Sequence, residues 1–180
     1  MKHSLFVVAV AGIALVSLPF EARTQVSSVA RPVQFGVALG AALPTSDMSD
    51  VVSTGFNATA TVGFTPAMIP LGIRIDGAYN QFSVKDALGG GNSHITGVTG
   101  NLVYKFPSVS ISPYGIGGAG WYNVGASGGG GSSNHFGWNI GGGILMPLSG
   151  FDTFIEARYN QVQGDNTSSS FVPITFGVLF

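Results

Sequence analysis

Phe171-Val172-Pro173-Ile174-Thr175-Phe176-Gly177-Val178-Leu179-Phe180 is the stretch that decides how the rest of the chain is read. Successive side chains of an extended strand point to opposite faces. Val172, Ile174, Phe176, Val178 and Phe180 therefore share one face, and Pro173, Thr175, Gly177 and Leu179 share the other. The same division recurs upstream. Phe136, Trp138, Ile140, Ile144 and Met146 alternate with Gly137, Asn139, Gly141 and Gly143, and Phe56, Ala58, Ala60, Val62 and Phe64 alternate with Asn57, Thr59, Thr61 and Gly63. In each case one face is apolar and the other is polar or very small.

Eight such segments follow one another, at 33–43, 55–65, 71–82, 95–106, 112–124, 135–146, 153–163 and 171–180. Ten residues at about 3.3 Å each, tilted by roughly 40°, climb about 25 Å, the height of the apolar band of a membrane-spanning barrel. Beyond the N-terminus no apolar run approaches the ~20 residues that a spanning helix requires.

Composition decides which face is outside. Only 8 % of the 180 residues are charged, against about 25 % in an ordinary soluble domain. Hydrophobic residues make up 45 %, and 28 residues are glycine. A soluble barrel turns its apolar face inward and a charged face to water. The Gly, Asn and Thr faces here are too small and too uncharged to be a solvated exterior, but they suit a narrow eight-stranded lumen. Disorder is excluded by 13 Phe, 5 Tyr and 2 Trp with a net charge of -1. The same near-neutral balance offers no basic patch for nucleic acid.

The mid-strand charges agree with that orientation. Arg74, Asp76, Lys105, Glu156 and Arg158 all fall on the face opposite the apolar one. An unpaired Arg or Lys facing lipid near the midplane costs about 2–4 kcal/mol, whereas inward-pointing charges can pair with one another. Arg74, Asp76, Glu156 and Arg158 lie at similar heights above their turns and are expected to form one layer across the lumen, as a structural plug rather than a gate or ion path.

The connections alternate in length. Those at 66–70, 107–111 and 147–152 are short and begin with proline, while those at 44–54, 83–94, 125–134 and 164–170 are longer and rich in Gly, Ser, Asn and Asp. Short periplasmic turns and long external loops are the outer-membrane pattern. It places both mature termini on the periplasmic side. At the N-terminus, Lys2 and His3 precede an apolar run over 5–18 and then Pro19, which reads as a secretory signal peptide. The expected division is a signal peptide over 1–22 and a barrel domain over 31–180, with cleavage between Ala22 and Ala30. Phe20 is bulky for a site at Ala22, while Ser28-Val29-Ala30 has the better small residues and lies further downstream. The chain has no cysteine, which excludes disulfides, thiolate catalysis and Cys-ligated zinc.

The alternating strands, the segment Pro113-Tyr114-Gly115-Ile116-Gly117-Gly118-Ala119-Gly120-Trp121-Tyr122 and the closing Phe176-Gly177-Val178-Leu179-Phe180 resemble the outer-membrane protein β-barrel domain family, the broad group of OmpA/OmpX-like small barrels. The resemblance covers essentially the whole mature chain. It implies an all-β, eight-stranded antiparallel up-and-down barrel in the outer membrane of a Gram-negative-type bacterium. It also implies that Phe180 is part of the signal read by the outer-membrane assembly machinery.

Four motifs invite chemistry. Gly115-Ile116-Gly117-Gly118-Ala119-Gly120 spells the dinucleotide-binding G-x-G-x-x-G, but its glycines lie inside one strand with no helix to receive a pyrophosphate. The glycines at 128–131 lack the Lys and Ser/Thr of a phosphate loop and read as an external loop. His94 and His135 sit at the outer ends of strands four and six, near Ser93, Ser132 and Ser133, with Asp86 or Asp165 as distant orienting groups. Some relatives in the resembled family are lipid A deacylases with a rim Ser/His pair. Here the two histidines have opposite parity, and polar loop residues are the plainer reading. Asp47, Asp50 and Asp165 match no calcium-loop spacing. Tyr79, Tyr104, Phe106, Tyr114, Tyr122, Trp138 and Tyr159 lie toward strand ends and read as girdles at the headgroup level. The expected function is non-enzymatic: a structural or surface-interaction, adhesin-like barrel. It is expected to be a monomer in outer-membrane lipid, without cofactor or metal and with an extracellular ligand at its loops. The alternatives are a lipid A-modifying enzyme at the outer rim and a narrow diffusion pore.

Overall fold

The computed structural model describes residues 32–66, 69–88, 90–107, 111–126, 131–164 and 168–180. The expected signal peptide, the glycines at 128–130 and Asp165 lie outside them. Eight strands close into one barrel: β1 Val33–Thr45, β2 Gly55–Phe64, β3 Leu71–Ser83, β4 Asn92–Lys105, β5 Ser112–Ala126, β6 Ser133–Pro147, β7 Asp152–Gln163 and β8 Ser168–Leu179. Each pairs antiparallel with its neighbour in sequence, and β1 closes the ring on β8 with Gly36 opposite Leu179 and Thr45 opposite Ser170. Closure satisfies both edges of every strand, as an apolar surround without water demands. Phe180 takes part: its N–H and carbonyl both bond to Phe35, at 2.7 and 3.2 Å.

The period-two pattern is realised as expected. Phe35, Val37 and Leu39 on β1, Ile73 and Ile75 on β3, and Ile174 and Phe176 on β8 all stand exposed on the outside. Their neighbours turn inward and are buried. Six strands run further at the loop end than apolar alternation indicated; β1 reaches Thr45 and β3 reaches Ser83. β4 begins at Asn92, β5 reaches Ala126, β6 begins at Ser133 and β8 begins at Ser168. The ladder is held there by backbone hydrogen bonds, which need no apolar residue, so Gly and Ser continue it outside the apolar band. The first loop also contains a one-turn helix, α1 Met48–Val51, and the second a 3-10 turn at Asp86–Leu88.

Proline in mid-strand is unusual because it cannot donate to the ladder. The β7–β8 pairing stops at Ala157 opposite Ile174 and resumes at Asn160 opposite Phe171, so the gap lies at Pro173. Arg158 stands opposite Pro173 in that register and receives no N–H from it. The Asn160 side chain takes over, with Nδ2 donating to the Arg158 carbonyl at 3.2 Å.

Glycine explains how so narrow a barrel is filled. A Cβ on Gly97 or Gly137 would fall 2.7 Å from the ring of Tyr122, and one on Gly143 would fall 2.6 Å from the hydroxyl of Tyr114. The inward glycines of β4 and β6 therefore let the two β5 tyrosines lie flat across the lumen. This corrects their reading as girdle residues. Tyr114 and Tyr122 are buried inside, while Tyr79 and Tyr104 stand exposed on the outside. The parity of β5 carries the distinction, since Trp121 points out and its neighbour Tyr122 must point in.

Candidate functional site

The mid-strand charges meet in one place. β3 and β7 stand four strands apart in a ring of eight, so they face each other across the lumen. β3 contributes Arg74 and Asp76, and β7 contributes Glu156 and Arg158, each pair spaced by two residues so that both side chains point inward. Arg74 Nη2 bonds both oxygens of Glu156 at 2.8 Å. Arg158 Nη2 reaches Glu156 Oε1 at 2.7 Å, and Arg158 Nη1 reaches Asp76 Oδ2 at 2.8 Å. Arg74 Nε closes the circuit on Asp76 Oδ1 at 3.0 Å. Each carboxylate serves two guanidinium groups and each guanidinium two carboxylates, with no net charge.

Burial makes this circuit demanding. Asp76 and Glu156 are only 1 % and 2 % exposed, and Arg74 and Arg158 only 7 % and 9 %. Charges removed from water are tolerated only when every lone pair and proton is matched. Neutral donors complete the match. Tyr114 donates to Glu156 Oε2 at 2.7 Å, Asn101 Nδ2 donates to Asp76 Oδ2 at 3.0 Å, and Thr61 Oγ1 also donates to Asp76. Asn139 Nδ2 in turn donates to Asn101 Oδ1 at 2.9 Å.

Neutral layers lie on both sides. Toward the short turns, Ala38, Val103, Ile116, Leu145, Phe154 and Leu179 pack around Tyr114. Toward the loops come Asn57 bonded to Asn80 at 2.7 Å and Tyr122 bonded to Asn160 at 3.1 Å. Beyond them Ala42, Val52, Phe82, Ile95, Val162 and Phe171 form an apolar cap, with the rings of Phe82 and Phe171 edge to face at 5.6 Å. The spaces left beside the charged layer measure about 20, 30 and 10 Å³. Each has room for a water or two. At the turn end Lys105 Nζ donates to Gln34 Oε1 at 3.4 Å, and Gln34 Nε2 to Asp152 Oδ2 at 3.1 Å.

The rim residues do not converge. His94 lies on the outer face with its ring stacked on Tyr79 at 6.3 Å, and His135 lies on the inner face. His135 Nε2 is 3.1 Å from Ser133 Oγ, yet no carboxylate orients that ring among the described residues. Ser93 Oγ is engaged with the Gly125 carbonyl at 3.4 Å. The G-x-G-x-x-G segment lies wholly within β5, with open space beside Gly115, ordinary contact distance at Gly117 and close strand packing at Gly118 and Gly120. A Cβ on Gly118 or Gly120 would fall 2.2 or 2.0 Å from a neighbouring carbonyl oxygen. Among the described residues no group of three or more His, Cys, Asp or Glu is placed to hold a metal.

The model of the outer membrane protein β-barrel domain family matches residues 8–180. The chain belongs to that family. This barrel is therefore an outer-membrane protein, with short periplasmic turns and long external loops. No curated protein matches it significantly in sequence. Among solved structures, Neisserial surface protein A is similar at 17 % identity and a TM-score of 0.67, over 83 % of this chain and 96 % of that one. Ail of Yersinia pestis, solved in complex with the heparin analogue sucrose octasulfate, is similar at 18 % identity and a TM-score of 0.51, over 83 % of this chain and 100 % of that one. A major outer membrane protein of Thermus thermophilus is similar at 13 % identity and a TM-score of 0.51, over 83 % and 99 %. Identities this low speak for the shared fold alone.

Proposed function

We propose that this outer-membrane barrel is a non-enzymatic, surface-interaction protein, adhesin-like, whose strands hold external loops against an extracellular ligand. The filled lumen carries the reading: a closed, net-neutral charge circuit between two apolar layers leaves the loops as the part free to act. Export by a cleaved leader over 1–22, assembly through the strand ending at Phe180 and a monomeric state belong to the same proposal.

The first two loops form the platform. Val52 bridges Val84, Ser53 N–H donates to Ser83 O at 2.9 Å, and Lys85 N–H donates to Val51 O at 3.0 Å. Lys85 Nζ closes on Ser49 O at 2.8 Å. Asp47, Asp50 and Asp86 outnumber that lysine, so the ligand is neutral or cationic. A sulfated polyanion, the class of ligand in the Ail complex, is a poor match on charge grounds.

The test replaces residues 46–53 with a Gly-Ser linker in cells displaying the protein. Adhesion to host cells or matrix is expected to fall to background while surface display persists. Unchanged adhesion, or reproducible conductance of the intact protein in planar bilayers, would overturn the reading.

A further inference from the structure

The periplasmic turns are built from residues ill suited to water. Pro66-Ala67-Met68-Ile69-Pro70, Pro107-Ser108-Val109-Ser110-Ile111 and Pro147-Leu148-Ser149-Gly150-Phe151-Asp152 contain one ionisable side chain, Asp152, which is bonded to Gln34. The external loops hold Asp47, Asp50, Lys85, Asp86 and Asp165. Each periplasmic turn also carries a large aliphatic side chain about half exposed: Ile69 at 53 %, Ile111 at 50 % and Leu148 at 53 %. Ile69 and Ile111 follow Phe64 and Phe106 by five residues, and Phe151 of the third turn packs its ring 6.1 Å from that of Phe180. The strand-end Phe64, Phe106 and Phe180 are similarly open at 48 %, 52 % and 55 %. The apolar exterior of the strands thus continues into the turns without a charged break.

Heights give the same answer. A residue in a strand tilted by roughly 40° climbs about 2.5 Å. Ten residues separate Tyr79 from Ile69, Trp121 from Ile111 and Trp138 from Leu148. Tyr79, Trp121 and Trp138 face outward, and amphipathic rings of this kind settle at the headgroup level. One apolar-band height of about 25 Å below them is the boundary between acyl chains and headgroups of the inner leaflet.

We infer that Ile69, Ile111 and Leu148, at the periplasmic ends of the strands, are seated against lipid at the inner leaflet, and that they do not form a docking surface for a periplasmic protein. Once assembled, the barrel then meets soluble partners from its external side. A periplasmic protein as the occupant would require these aliphatics to stand in water when the barrel is alone in a bilayer.

The absence of cysteine makes the test direct. Ile69→Cys, Ile111→Cys and Leu148→Cys are each labelled with a nitroxide in phosphatidylethanolamine–phosphatidylglycerol vesicles. Collision with oxygen, which partitions into lipid, is compared with collision with a water-soluble nickel chelate. Leu102→Cys, on the lipid-facing side of β4, and Ala87→Cys, in an external loop, are the references. The oxygen-to-nickel ratio at all three turn sites is expected to exceed that of Ala87→Cys by about tenfold, as at an acyl-chain boundary. A ratio within about twofold of Ala87→Cys would overturn the inference and leave the turns as a water-facing surface.

Discussion

The two halves of the lumen are filled by the same device and finished with different chemistry. On the periplasmic side Tyr114 lies over Gly143 and ends on the carboxylate of Glu156. On the external side Tyr122 lies over Gly137 and ends on the neutral amide of Asn160. Glu156 is itself shared by Arg74 and Arg158, so its loss would leave buried charge behind. In the external half each member of the network is neutral, so its loss removes hydrogen bonds but leaves no unpaired charge. The comparison teaches that one lumen can combine a layer that tolerates substitution with one that does not.

The sharpest way to break the comparison is Glu156→Ala. It leaves two buried guanidinium groups with Asp76 as their only carboxylate. Removing one partner of a buried ionic network costs about 3–5 kcal/mol. That loss is expected in urea unfolding of the protein in phospholipid vesicles. A loss below about 1 kcal/mol, the scale of a solvated surface pair, would mean that water fills the charged layer.

The two tyrosines provide the next contrast. Tyr114→Phe removes a hydrogen bond to a charged acceptor, worth about 1.5–3 kcal/mol, and Tyr122→Phe removes one to a neutral acceptor, worth about 1 kcal/mol. The same urea titration should rank them in that order. Equal losses would show that the two arginines already saturate Glu156 and that the Tyr114 hydroxyl is spare.

Much of this was legible in the sequence. Strict alternation gave the strands, the inside and outside of each, and the inward aim of Arg74, Asp76, Lys105, Glu156 and Arg158. What a period of two cannot supply is who meets whom across the lumen. The contact between Arg74 and Glu156 joins positions 82 residues apart and depends on ring closure. Nearness to a strand end misplaces the two tyrosines, whereas parity puts Tyr122 inside as the neighbour of outward Trp121. The outer strand ends were read short because Gly and Ser continue a ladder silently. The α1 turn escaped notice because its four residues are too few to show a helical period.

Glycine supplies the smallest effect and the finest test of how the two faces of one sheet differ. Gly100 on β4 faces outward, and a Cβ built there meets nothing within 4 Å. Gly120 on β5 faces inward, and its Cβ would fall 2.0 Å from the Val98 carbonyl oxygen. Strand glycine carries an entropic disadvantage of roughly 0.5–1 kcal/mol against alanine, recovered only where a methyl group fits. Gly100→Ala is therefore expected to raise the unfolding free energy in vesicles by up to that amount, while Gly120→Ala lowers it by forcing β4 and β5 apart. The opposite signs follow from what each new methyl group meets, open space at Gly100 and the backbone of the paired strand at Gly120. A loss of stability at Gly100 would mean that its open outer surface is occupied in the membrane by something that a methyl group displaces.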